Sequence, residues 1–167
     1  MKTIDLDAMT AKQLLSLYAD LLNTLKSKGI TRSTNNPLAD YAENLVAGGL
    51  NLSLARKSNA GYDAIDESSG LRYEVKARRI TSHNRSRQLG ALRNLESKPF
   101  DFLVAVLFNE DFSILRAAQI PLETVTDLAD FVGHTNSYKL ILRDSVFDDE
   151  RVKDITPEIA GRTSTNI

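Results

Sequence analysis

The chain has no cysteine among its 167 residues, which excludes disulfides and thiolate metal sites and implies no oxidising compartment. It also lacks any long apolar run. The longest, Phe102 to Phe108, is far too short to cross a bilayer. The first residues, Met1-Lys2-Thr3-Ile4-Asp5-Leu6-Asp7, carry no apolar stretch of the signal-peptide kind. These absences predict a cytoplasmic protein with no membrane partner. Repeats, heptads and low-complexity segments are missing as well. Gly48-Gly49 has no strand before it and no Lys-Ser or Lys-Thr after it, so it reads as a helix stop, not a phosphate loop.

What is present is the composition of an ordinary globular protein, 42% hydrophobic and 26% charged. The length predicts one domain over residues 1–150, with a charged and partly flexible tail over 151–167. Net charge is only −1, but it is unevenly placed. Arg72, Lys76, Arg78, Arg79, Arg85, Arg87 and Arg93 face a single acid, Glu74, so residues 72–93 carry +6. Such a stretch can hold a polyanion, or its arginines can be paired with acids elsewhere on the surface.

Helical spacing of Leu14, Leu15, Leu17, Tyr18, Leu21, Leu22 and Leu25 behind a Thr10–Gln13 capping box predicts a first helix within 10–28 that packs on the sheet. Asn36-Pro37 opens a second, which stops near Gly48-Gly49 and carries Glu43. Residues 51–57 read as a strand, 84–97 as a helix carrying the basic residues, and 102–108 as a central strand. Additions over 112–146 complete the domain: an antiparallel strand, a short helix after Pro121, and a last strand over 138–143.

The chemistry concentrates at residues 61–76. Two β-compatible runs flank Glu67-Ser68-Ser69-Gly70, a four-residue hairpin loop. Pairing Asp66 with Leu71 sets Asp63 opposite Glu74, and alternation puts Asp63, Glu74 and Lys76 on one face. Facing carboxylates repel. A bridging divalent cation, of which Mg²⁺ suits hard oxygen ligands, would offset that cost. The same face also reads as a solvated one on which Lys76 screens two acids. Asp66 is the rival for the first acid, but this register leaves it at the loop. His83 and His134 lie in polar loops with no acid at a useful spacing, and neither is assigned a role.

Gly61-Tyr62-Asp63, Glu74-Val75-Lys76 and the glutamate of Tyr41-Ala42-Glu43 follow in the order helix, strand, strand, strand, helix, strand. That order resembles the αβββαβ core of the PD-(D/E)XK nuclease superfamily, as found in small uncharacterised bacterial members, over residues 37–108. Tyr62 stands where the motif has proline. The resemblance implies an α/β fold with a restriction-endonuclease-like mixed central sheet flanked by helices, and Mg²⁺- or Mn²⁺-dependent hydrolysis of DNA phosphodiesters, of restriction or repair type. It implies Asp63, Glu74 and the Val75 backbone carbonyl as metal ligands. Lys76 would position the attacking water or stabilise charge on phosphorus. Glu43 would orient a metal-bound water or bind a second ion, unless it is an exposed helix-face acid. Gln88 matches a polar position near the site and could equally be solvated. Arg78, Arg79, Arg85 and Arg93 would line the path of a nucleic acid, most readily double-stranded DNA, and a homodimer is expected. The alternative is a catalytically silent nuclease-fold subunit that binds nucleic acid or a partner.

Overall fold

The seven residues Phe102–Phe108 are all apolar, and in the computed structural model they form the strand around which the rest is arranged. The structure describes residues 4–56 and 61–161. In chain order the strands are β1 (Ser53–Leu54), β2 (Ala64–Ile65), β3 (Arg72–Arg79), β4 (Phe102–Phe108), β5 (Ile114–Pro121), β6 (Asp130–Val132), β7 (Ser137–Lys139) and β8 (Lys153–Asp154). The helices are α1 (Ala11–Ser27), α2 (Leu38–Leu50), α3 (Leu122–Leu128) and α4 (Thr156–Ala160). Six strands make a mixed sheet in the order β1-β2-β3-β4-β5-β8, and β6 pairs with β7 apart from it. Within the six-stranded sheet only β3 and β4 run parallel. The protein is therefore mixed α/β, with β4 inside the sheet as its unbroken apolar run requires.

Alternation along β3 and β4 divides the core into two layers. Tyr73, Val75, Val104 and Val106 face α2 and α4, against Leu45, Val46, Ile155 and Ile159. Leu103, Ala105 and Leu107 face the other way, onto Leu89, Leu92 and Leu140. Only Ser53–Leu54 of the strand expected over 51–57 takes strand form, and Lys57 lies outside the described residues.

Thr10 and Gln13 close the expected capping box at the start of α1. The expectation that α1 packs on the sheet fails. Of its residues only Leu22 is buried, while Leu14, Leu15, Tyr18 and Leu21 are exposed. As expected, α2 stops near Gly48-Gly49: it runs to Leu50 and ends on Asn51 in the left-handed conformation, φ 57°. Gly49 is there for close approach. A Cβ on it would stand 3.0 Å from the Glu158 carbonyl oxygen and 3.3 Å from the Ile159 Cα of α4.

The helix expected over 84–97 is absent. Apart from a 3₁₀ turn at Leu95–Ser97, this segment is an extended strap over one face of the sheet. Gln88 bridges to Ile141 and Leu92 to Tyr138, with backbone hydrogen bonds of 2.7–3.1 Å. Leu89, Leu92 and Leu95 are buried as a helix would bury them, but the backbone bonds go to another segment. The strand expected over 138–143 is engaged in that pairing and with β6, and does not join the main sheet. The main sheet instead ends in β8, and Val152, Ile155 and Ile159 of the charged C-terminal stretch are buried. Residues 162–167 lie outside the described ones.

Candidate active site

The hairpin loop is tied by Asp66. Its carboxylate accepts from the Ser68 amide at 2.9 Å and from the Ser69 hydroxyl at 2.7 Å, and its amide donates to the Leu71 carbonyl. The Ser68 hydroxyl, at 2.6 Å, with the Ser69 hydroxyl and the Ser68 amide, holds the carboxyl down to about 2. The rival acid is thus absorbed by the turn. The register follows: Ala64 faces Tyr73 and Ile65 faces Arg72, so Asp66 stands level with Leu71 as the loop length predicts.

One residue further on, the ladder changes. The Asp63 amide also donates to the Tyr73 carbonyl, at 2.8 Å, so Asp63 and Ala64 both face Tyr73. Two residues opposite one is a bulge, which bends the strand and re-aims a side chain. Here it turns the Asp63 carboxylate toward β3, where it accepts the Val75 amide at 2.8 Å. The amide and carbonyl of one strand residue point to the same edge, so the Val75 carbonyl also lies on the edge that β2 has just left.

Beside it stands Glu74, whose side chain is 15% exposed and ion-paired with Lys76. Burial raises the Glu74 carboxyl above its ordinary range; Lys76 opposes this, and the neighbouring Asp63 charge adds to it. Two carboxylates and one ammonium leave an excess negative charge in a recess. Hard oxygens with such an excess are the donors that Mg²⁺ takes from a protein, one or two carboxylates with the remainder water. Asp63, Glu74 and the Val75 carbonyl fit that ion in kind.

No protein-family model matches the chain, and no curated protein matches it.

Glu43 is not an exposed helix-face acid. It is buried and paired with Arg32, which also bonds the Ala55 carbonyl at 3.0 Å. The Ala55 amide in turn donates to the Asp63 carbonyl, so Glu43 reaches the site through Arg32 and the backbone. Among the described residues no three acids or histidines come together as a cation site. Arg32 was not legible in the sequence, where its only signal is a basic residue a few positions before an Asp- and Glu-bearing helix.

The basic residues do not form one track. Alternation places Arg78 on the side of Glu74 and Lys76, whereas Arg79 lies opposite, 4.5 Å over the Phe112 ring and bonded to the Glu110 carbonyl. Arg72 is held by Asp101 and Arg87 by Asp144. Arg78, Arg85 and Arg93 have no carboxylate partner among the described residues. Arg85 lies in a separate open hollow with Thr81, Ser82 and Glu110, and Gln88 sits exposed on the strap, opposite Ile141.

A cleft of about 350 Å³ opens onto Glu74 and Lys76. Its walls come from the strap, including Arg93 and Asn94, and from Gly61, Pro99 and Phe100. Gly90 passes close over Lys76: a Cβ there would be 3.5 Å from the Lys76 Cδ. Asn94, with φ 55°, is a member that spacing arguments missed, because its place depends on the strap not being a helix.

Proposed function

We propose that the chain is a Mg²⁺- or Mn²⁺-dependent nuclease that hydrolyses DNA phosphodiesters, built on a restriction-endonuclease-like core. The observation that carries this reading is the bulge at Asp63, which brings its carboxylate to Glu74 at the edge of β3, two residues from Lys76. A solvated strand face needs no such bulge, and it would not place like charges in a recess. The order of α2, the antiparallel β1-β2-β3 and the parallel β4 agrees with that core, with the strap in place of its second helix.

The divalent ion supplies Lewis acidity, lowering the pKa of water and offsetting charge that develops on the phosphate. Asp63, Glu74 and the Val75 carbonyl would hold it. Lys76 then has less call on Glu74, and its ammonium stabilises the phosphate oxygens. Arg93 and Arg78 bind flanking phosphates, for which the planar guanidinium fork is suited. Arg32 fixes Glu43 and steadies the strand end that carries Asp63.

A second reading is favoured by one observation: Lys76 is already paired with Glu74 and no third acid joins them among the described residues. That is what a nucleic-acid-binding or interaction subunit without catalysis would keep. Incubation with plasmid, linear, branched and single-stranded DNA in Mg²⁺ or Mn²⁺ separates the two. The nuclease reading expects cleavage of at least one substrate, lost in Asp63→Asn and in Glu74→Gln. Salt-sensitive binding with no cleavage of any substrate selects the silent subunit.

A further inference from the structure

Strand β3 carries more backbone hydrogen-bonding capacity than its neighbours use. Its even-numbered residues serve β4: the Arg72 carbonyl accepts the Asp101 amide at 2.9 Å, and just past the strand the Ile80 amide donates to the Phe108 carbonyl at 2.8 Å. Its odd-numbered residues point to the other edge. There the Tyr73 carbonyl accepts the Asp63 amide, and the Val75 amide donates to the Asp63 carboxylate. However, β2 pairs only with Arg72 and Tyr73, while β3 runs on to Arg79. The amides of Ala77 and Arg79 therefore face the edge that β2 has left, and no described residue accepts from either.

Ala77 is half-buried against the layer under α2. A main-chain donor sheltered from water costs about as much as a lost hydrogen bond unless a ligand takes it. Such an edge can accept an added strand or a ligand. An added strand is disfavoured here. Asp63 already holds the Val75 amide, so only Ala77 and Arg79 are left to pair, fewer residues than strands usually have. An anion needs a single donor. Lys76 and Arg78 flank Ala77 in the chain, and Arg78 has no carboxylate partner among the described residues.

We propose that the Ala77 amide is a main-chain phosphate site, donating to the backbone of a nucleic acid bound at Asp63 and Glu74. The inference rests on the nuclease reading for its ligand. It adds how the strand is held: by an uncharged donor fixed in the sheet, which reads no base. One consequence separates this amide from the arginines. Loss of a guanidinium contact lowers affinity and salt slope together, whereas loss of a neutral amide lowers affinity alone.

The test is DNA affinity of the full chain across a salt series, in chelator so that no strand is cut. Proline at this position removes the N–H and leaves the β4 ladder intact, because that N–H points away from it. Ala77→Pro should bind about tenfold more weakly than wild type at each salt concentration, with an unchanged slope. Ala77→Ser keeps the N–H and should bind as wild type does. Nuclear magnetic resonance of the wild type reads the same amide without a substitution, and so stands even where Ala77→Pro does not fold. On addition of DNA the Ala77 amide proton should move downfield and exchange more slowly with solvent. Wild-type affinity in folded Ala77→Pro, an equal loss in Ala77→Ser, or an Ala77 amide indifferent to DNA overturns the inference and leaves the nuclease reading in place. A wild type that neither binds nor cuts DNA removes that reading, and the inference with it.

Discussion

The carboxylate of Asp63 accepts the backbone amide of Val75 at 2.8 Å, across the point where β2 ends. That bond explains how two acids come together on the side of β3 that β2 has left, where repulsion should part them. The amide holds Asp63 in place, and Lys76 partly offsets Glu74. The rest of the mismatch is left for a ligand.

Because burial and Asp63 raise the Glu74 carboxyl, its charged form opposes folding. The folded state binds this proton more tightly than the unfolded chain does. Stability therefore falls as pH rises from the unfolded value, 4.5, through the raised folded one. Glu74→Gln should melt higher than wild type at neutral pH in chelator, by roughly 2–4 °C per kcal/mol of relieved penalty, and lose that part of the pH dependence. Melting curves at acid and neutral pH check both.

Asp66 carries the opposite sign. Its carboxyl is lowered from 3.8 to about 2 by the Ser68 and Ser69 hydroxyls and the Ser68 amide. Its contribution is complete above pH 3.8 and is lost as pH falls through about 2. Asp66→Asn should be less stable than wild type at neutral pH and lose less on acidification in that window. Circular dichroism along an acid titration measures it.

How much of this could be read from residues alone depended on how local the cause was. The hairpin register was legible because Asp66, Ser68 and Ser69 close their own loop, and β4 because an apolar strand needs cover on both faces. The strap was not. Leucines at 89, 92 and 95 have helical spacing, and only their distant partners, Tyr138 and Ile141, decide for an extended chain. The acid pair was legible as a juxtaposition, but alternation alone missed the bulge that aims Asp63. Glu43 was placed on the right helix, but its burial against Arg32 depends on a loop that has no periodicity to read.

Gly49 lies against α4, and a Cβ at 3.0 Å from the Glu158 carbonyl oxygen must push that helix away. Overpacking costs about 1–3 kcal/mol against a helix-propensity gain of about 1 for alanine, so Gly49→Ala should be destabilised on balance. Chemical denaturation should show a lower midpoint with an unchanged slope.

The two neighbouring arginines of β3 should behave differently. Arg78→Ala/Arg93→Ala should weaken DNA binding for all sequences and reduce the salt slope by roughly one unit per lost phosphate contact. Arg79→Ala should leave the slope alone and lower stability instead, because it removes the stacking on Phe112. DNA affinity across a salt series, set beside melting curves, separates the two effects.

Calorimetric titration of the DNA-free protein with Mn²⁺ tests the central claim, that Asp63 and Glu74 form a divalent-cation site. The account predicts saturable binding to one site, weakened at least tenfold by Asp63→Asn and tightened by Lys76→Met, which removes the competing ammonium. Absence of binding to the wild type, or equal binding by Asp63→Asn, would contradict it.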